Sequence, residues 1–222
     1  MIRVITPTLI LFLVSCAMKS NLIVHSPTSE DSTPIHYKHV HGSVSKNSPP
    51  SAIELNAINS DSISIFVWAK QLEEKTTWIG IIYPFIPNIF FSKKEFYNDH
   101  YNQLKIFLII NSNQLMTITT DSIFVILNND EVIRPIKDIP AIYSVDSVFS
   151  LNNKISESEL TSLREGRLNS TNDAIVFYFP IDARTLDSFN LFVNGLMAGN
   201  TELIFPKIKF EREKQIYRAM GP

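Results

Sequence analysis

Cysteine, glycine and net charge are all scarce in this 222-residue chain, and each scarcity removes a class of function. One cysteine cannot close an internal disulfide. Six glycines leave neither a G-x-G-x-x-G string nor a G-K-[ST] string, so no dinucleotide or P-loop phosphate site is expected. The 20 basic residues against 22 acidic ones give a formal charge of −2, and a charge this small supplies no electrostatic reason for a nucleic-acid partner. Long apolar runs are missing too: the run from Val4 to Val14, broken by Thr6, Pro7 and Thr8, falls well short of the roughly 20 residues that span a bilayer. What remains is a chain long enough to bury roughly two-thirds of its unfolded surface in a core of its own.

The run from Val4 to Val14 follows one positive charge, Arg3, and precedes Leu13-Val14-Ser15-Cys16. A charged start, a short apolar region and a small residue before the cut describe a secretory signal. The tetrapeptide resembles the lipobox of bacterial lipoproteins: an aliphatic residue, a tolerant position, a small residue, then cysteine. The resemblance implies a signal peptide over residues 1–15, a diacylglycerol thioether on Cys16, and cleavage just before it. It implies attachment to a membrane through Cys16, with acyl chains such as palmitate. Two or three chains, at about 0.8 kcal/mol per buried methylene, hold a protein on a membrane far more firmly than one. Ala17 follows the cysteine where an aspartate would signal inner-membrane retention, so the resemblance implies the outer membrane, facing the periplasm or the exterior. A lone cysteine at the end of such a run is what an anchor requires.

Residues 16–59 read as a lipidated N-terminus and a flexible tether. From Ser26 to Ser51 serine, threonine and proline dominate, and few large apolar residues are present to offset the entropy of ordering. His36, His39 and His41 lie in this stretch. Imidazoles at that spacing converge on a metal only if the segment bends, and no Cys, Asp or Glu stands nearby to complete a site. A solvated linker is the simpler reading, and no metal ligand or cofactor is assigned.

Residues 60–222 read as an all-β domain. Period-two apolar alternation runs through Ser62 to Lys70, with Ile63, Ile65, Val67 and Ala69 on one face, and again through Leu104 to Ile110. Met116 to Thr120, Ile123 to Leu127, Glu131 to Pro135, Ala174 to Phe179, Ser188 to Val193 and Glu202 to Phe210 follow, separated by turns such as Asn128-Asn129-Asp130, Asn194-Gly195 and Gly199-Asn200. Two capping boxes, Ser92 with Glu95 and Ser156 with Glu159, predict two short helices, the second ending near Gly166. Many short strands without βαβ alternation predict a β-sandwich of about seven to nine strands. Trp78-Ile79-Gly80 with Pro84 and Pro87, the strand Leu104 to Ile110, and the ending Phe189 to Val193, Gly195 and Pro206 to Phe210 resemble the immunoglobulin-like sandwich domains found behind lipoboxes in envelope proteins. That resemblance implies a fold and no catalytic residue.

No catalytic constellation stands out. Asp99 and His100 are adjacent, a spacing at which neither a strand nor a helix lets one side chain orient the other. Glu73-Glu74-Lys75 and Asp130-Glu131 read as solvated tips, and Arg164, Arg167 and Arg184 as ordinary surface rather than an anion pocket. Every residue from Trp78 to Phe91 is uncharged, which fits either a buried strand or an exposed apolar loop for a partner protein. The expectation is a non-enzymatic binding or assembly module of the envelope, its partner another envelope protein. The competing readings are a periplasmic hydrolase whose site distant carboxylates assemble, and a metal-binding envelope protein.

Overall fold

A computed structural model describes residues 13–36, 50–82, 89–96, 102–136, 148–151, 156–165 and 174–220. In chain order the strands are β1 (Leu13–Thr28), β2 (Ser32–Ile35), β3 (Ala52–Ala57), β4 (Ser60–Ala69), β5 (Leu72–Ile82), β6 (Ile89–Phe96), β7 (Leu104–Asn111), β8 (Met116–Thr119) and β9 (Ile123–Leu127). There follow β10 (Val132–Ile133), β11 (Val148–Leu151), the helix α1 (Glu157–Arg164), β12 (Ile175–Phe179), β13 (Ser188–Val193), β14 (Leu196–Ala198), β15 (Thr201–Glu202) and β16 (Ile208–Met220). The protein is all-β and sandwich-like, built from several antiparallel sheets. It divides into two units: residues 23–72 with 98–215, and residues 1–22 with 73–97 and 216–222.

In the larger unit one sheet has the order β12-β7-β4-β3-β2. β4 lies between β3 and β7, with Val67 opposite Ile53 and Leu108, and Ile65 opposite Leu55 and Ile110. Alternation alone predicts that only the face of Ile63, Ile65 and Val67 is covered, yet Phe66 and Trp68 on the other face are buried as well. Helix α1 accounts for the difference. Its Leu160 and Leu163 join Phe66, Trp68, Ile109, Ala52, Ile35 and Ala174 in one cluster, with Phe107 packed against it and stacked on Trp68 at 5.1 Å. A second sheet runs β11-β8-β14-β15, and the strands β10, β9, β13, β16 and β1 stand side by side in a third. In the third, Phe189 and Phe210 are buried and stacked at 4.6 Å.

The local signals that predict α1 are all present. The Ser156 hydroxyl accepts from the Glu159 amide, and the Glu159 carboxylate accepts from the Ser156 amide at 3.0 Å. The Ser156 hydroxyl also donates to that carboxylate at 2.6 Å, and this bond, with the Ser156 amide second, holds the Glu159 carboxyl below the usual range. Gly166 lies outside the described residues. The turns follow their chemistry too: Gly199 takes φ +60° in the two-residue loop between β14 and β15, and Asp130 takes φ +61° in the loop between β9 and β10. Gly195, at φ +70°, has a second reason to lack a side chain, because a Cβ there would meet Ser122 Cβ at 2.6 Å.

Three expectations are corrected. Ser92 and Glu95 do not open a helix: both lie in β6, which pairs with β5 from Glu74 opposite Phe96 to Ile81 opposite Ile89. Ladder bonds to a neighbouring strand outweigh a local cap of about 1 kcal/mol. The run Glu202 to Phe210 is two strands rather than one, because β15 stops at Glu202 and β16 starts at Ile208, with Pro206, which has no amide to give a ladder, between them. The serine- and proline-rich stretch contributes the end of β1 and all of β2 where it is described. Residues 22 to 27 of β1 are buried, β2 pairs with β3, and β3 pairs with β4, so the folded part begins well before residue 60. Pro34 is tolerated in β2 because that strand is the outermost of its sheet. Residues 37–49 lie outside the described residues.

Candidate functional site

Cys16 is the fourth residue of β1, in the smaller unit. There β16, β1, β5 and β6 stand in that order, with β1 and β16 each contributing residues to the larger unit as well. The described parts of the uncharged segment, Trp78 to Ile82 in β5 and Ile89 to Phe91 in β6, lie in paired strands: Trp78 stands opposite Ser92, Ile79 opposite Phe91 and Gly80 opposite Phe90. Residues 83–88, including Pro84, Phe85 and Pro87, lie outside the described residues.

Of the three histidines weighed as metal ligands, His36 is half-buried just after β2, and its Nδ1 has no hydrogen-bond partner among the described residues. His39 and His41 lie outside those residues, as do Asp99 and His100. No three His, Cys, Asp or Glu side chains converge among the described residues to hold a metal ion. No described helix is long and apolar enough to cross a membrane.

Arg164 and Arg184 each fork onto a carboxylate of their own. Arg164 ends α1 and reaches Glu54 of β3 with both sides of its fork, Nε to Oε2 at 2.9 Å and Nη2 to Oε1 at 2.7 Å. Ser64 adds a hydrogen bond to Oε1 at 3.3 Å. The carboxylate bonds raise the Arg164 guanidinium above its usual range. Arg184 forks onto Asp182 within a turn, at 2.6 Å for its shortest bond, and holds that carboxyl below its ordinary range. Arg167 lies outside the described residues. Glu74 corrects the reading of Glu73-Glu74-Lys75 as a solvated tip: it is a buried position of β5, whereas Asp130 and Glu131 are an exposed turn.

Besides Glu54, two more buried ionisable groups escaped the sequence. Lys105 of β7 lies against Tyr178 of β12, its Nζ 4.9 Å from the ring centroid. Burial, with Lys70 in second place, pushes its ammonium down. A cation over a ring face is stabilised there by the ring quadrupole. His25 of β1 is 0 % exposed and tilts against Phe189 at 5.7 Å. A carbonyl can only accept, so the His25 Nε2–H donates to the Leu186 carbonyl at 3.0 Å. Nδ1 is left as a buried acceptor with no partner among the described residues.

Burial is the main cause that pushes the His25 pKa below 6.5. The Leu186 carbonyl opposes it, Arg212 adds to it and Asp187 opposes it. The folded protein therefore keeps His25 neutral at pH values where the unfolded chain takes up a proton. Stability should be unaffected by this group above about pH 6.5, and should fall by up to about 1.4 kcal/mol per pH unit below it. Urea midpoints at about pH 7.5 and about pH 5 will show it. A His25→Leu chain should lose less stability between the two than the unaltered protein. Equal losses would refute the assignment.

No protein-family model, curated protein or solved structure matches the chain. Its chemistry is therefore read from its own residues.

Proposed function

We propose that the chain is a bacterial envelope lipoprotein, held on a membrane by acyl chains on Cys16, whose β-sandwich serves as a non-enzymatic binding or assembly module. The observation that carries this reading is Leu13-Val14-Ser15-Cys16 at the end of a short apolar run, with Cys16 the one cysteine of the chain. Cleavage before Cys16 takes three residues from β1 and leaves the lipid-bearing residue at the start of a strand. The anchor then stands next to folded structure rather than at the far end of a long spacer. Ala17 favours the outer membrane, and the partner is another envelope protein.

Inhibition of the lipoprotein signal peptidase with globomycin tests the reading in cells. A precursor that retains residues 1–15 should accumulate in the membrane fraction. The Cys16→Ala chain should leave that fraction for the soluble or secreted one. A Cys16→Ala chain that partitions with membranes as fully as the unaltered protein would defeat the anchoring claim.

A further inference from the structure

We propose that Lys70, Lys105 and Tyr178, side by side on the α1 face of the five-stranded sheet, form a binding site for a phosphate dianion, free or as a monoester. The site goes beyond the anchoring reading above and does not depend on Cys16.

Register puts the three residues in one row. β4, β7 and β12 are neighbours in that order, and both pairings are antiparallel. Tyr178 stands opposite Lys105. On the other side Ala69 stands opposite Ile106, and the next residue, Lys70, donates its amide to the Lys105 carbonyl at 2.8 Å. Side chains directly opposite on antiparallel strands have Cβ atoms about 4.5–5.5 Å apart. Successive residues alternate between faces, so Lys70 shares a face with Trp68, Lys105 with Phe107, and Tyr178 with Val176. That is the face on which Leu160 and Leu163 of α1 meet Phe66, Trp68 and Ile109. The row lies one step beyond this cluster. Lys105 is buried there, with Lys70 and Tyr178 half-buried on either side.

Charge in the row is unbalanced. Like charges directly opposite each other destabilise a sheet, and here two ammonium groups are opposite. No described carboxylate forms an ion pair with either lysine. Glu54, which faces the same way from β3, has both its oxygens held by Arg164. The Tyr178 ring lies against the Lys105 ammonium, 4.9 Å from Nζ to the centroid, but a ring carries no net charge to neutralise it. Lys70 adds to the burial that pushes the Lys105 ammonium down. The Tyr178 hydroxyl has no hydrogen-bond partner among the described residues.

An ammonium has three N–H donors and no acceptor, and a phenol O–H donates as well. The row therefore holds three donor groups and two charges, and what it lacks is a negative acceptor. A carboxylate would leave one positive charge over. A phosphate monoester, at about −1.5 to −2 near pH 7, offsets both and has oxygens for all three groups. Lysine suits phosphate as a point charge. Burial of the Lys105 stem means that one of the two cations is ordered before the ligand arrives.

Calorimetry on the full chain in detergent micelles, at about pH 7.5 and low salt, tests the site. Inorganic phosphate should bind with a Kd of about 1 mM or tighter, and acetate at least about tenfold more weakly. Lys105→Met keeps the apolar stem and should weaken phosphate binding at least about tenfold, and Lys70→Met at least about fivefold. If Lys105→Met does not fold, Lys70→Met and Tyr178→Phe carry the test, the latter with about a threefold loss. Dihexanoyl phosphatidic acid, read against dihexanoyl phosphatidylcholine as blank, separates the sources of the group. Lysine-dependent binding at least about tenfold tighter than that of inorganic phosphate assigns the site to a lipid headgroup, and binding no tighter assigns it to phosphate in solution. Either result upholds the site. It is overturned if neither ligand binds, if acetate binds as tightly as phosphate, or if the lysine substitutions leave binding unchanged. None of these results touches the acylation of Cys16.

Discussion

Replacing Phe66 with alanine should destabilise the larger unit by about 3–5 kcal/mol, a fall of roughly 10 °C or more in its melting temperature for a chain of this size. Phe66 is 0 % exposed on β4, which has strands on both sides, and it faces Leu160 and Leu163 of α1. Removing the ring opens a void between a sheet held by ladder bonds on both sides of β4 and the helix that covers it. The sheet cannot collapse into it, so the cost should lie toward the upper end. Trp68 belongs to the same cluster, and its emission during urea unfolding reports the change directly. Ile204→Ala is the control, because Ile204 is 55 % exposed and its truncation should move the midpoint by no more than about 0.5 kcal/mol. Equal effects at the two positions would mean that α1 does not close this face.

The second large effect concerns a charge pair that joins α1 to the sheet. The Glu54 carboxylate is 9 % exposed and accepts from both sides of the Arg164 fork, while Arg164 itself is about half exposed. Arg164→Met should cost about 2 kcal/mol, because it strands a buried carboxylate on β3 opposite Phe66. Full burial of both partners would cost more; water reaching the guanidinium side lowers the figure. Adding Glu54→Leu should return most of the loss, since two apolar side chains leave no charge to satisfy. A double-mutant cycle measures the coupling. If the double variant is as unstable as the single one, the pair is not what positions the helix.

These two predictions also show what was and was not legible in the sequence. The strands β7, β9 and β13 were legible because their apolar residues alternate and polar turns bound them. The helix was legible because a capping box is local: Ser156 and Glu159 are three residues apart and need no distant partner. The same signature misled at Ser92 and Glu95, where the deciding partner is β5, which carries its own mixture of charge and threonine. The second buried face of β4 was hidden because Phe66 and Trp68 are covered by a helix about ninety residues further along the chain. The Glu54–Arg164 pair spans 110 residues and has no local mark. His25 sits at the edge of a serine- and proline-rich stretch whose composition argues for solvent, and only the pairing of β1 in its sheet puts the ring against Phe189. In the candidate site the sequence supplied the chemistry, a cysteine in a string that resembles a lipobox and an uncharged segment. It could not supply their neighbourhood, because the place of β1 beside β5 is a matter of topology.

The most direct test of the account is the mass of the mature N-terminal peptide, taken from the chain expressed with residues 1–15 in a bacterium that acylates lipoproteins. The account predicts a peptide that begins at Cys16 and carries the mass of a diacylglycerol thioether, with or without a further acyl chain on its amine. A peptide that begins at Met1, or a Cys16 without fatty chains, would contradict it.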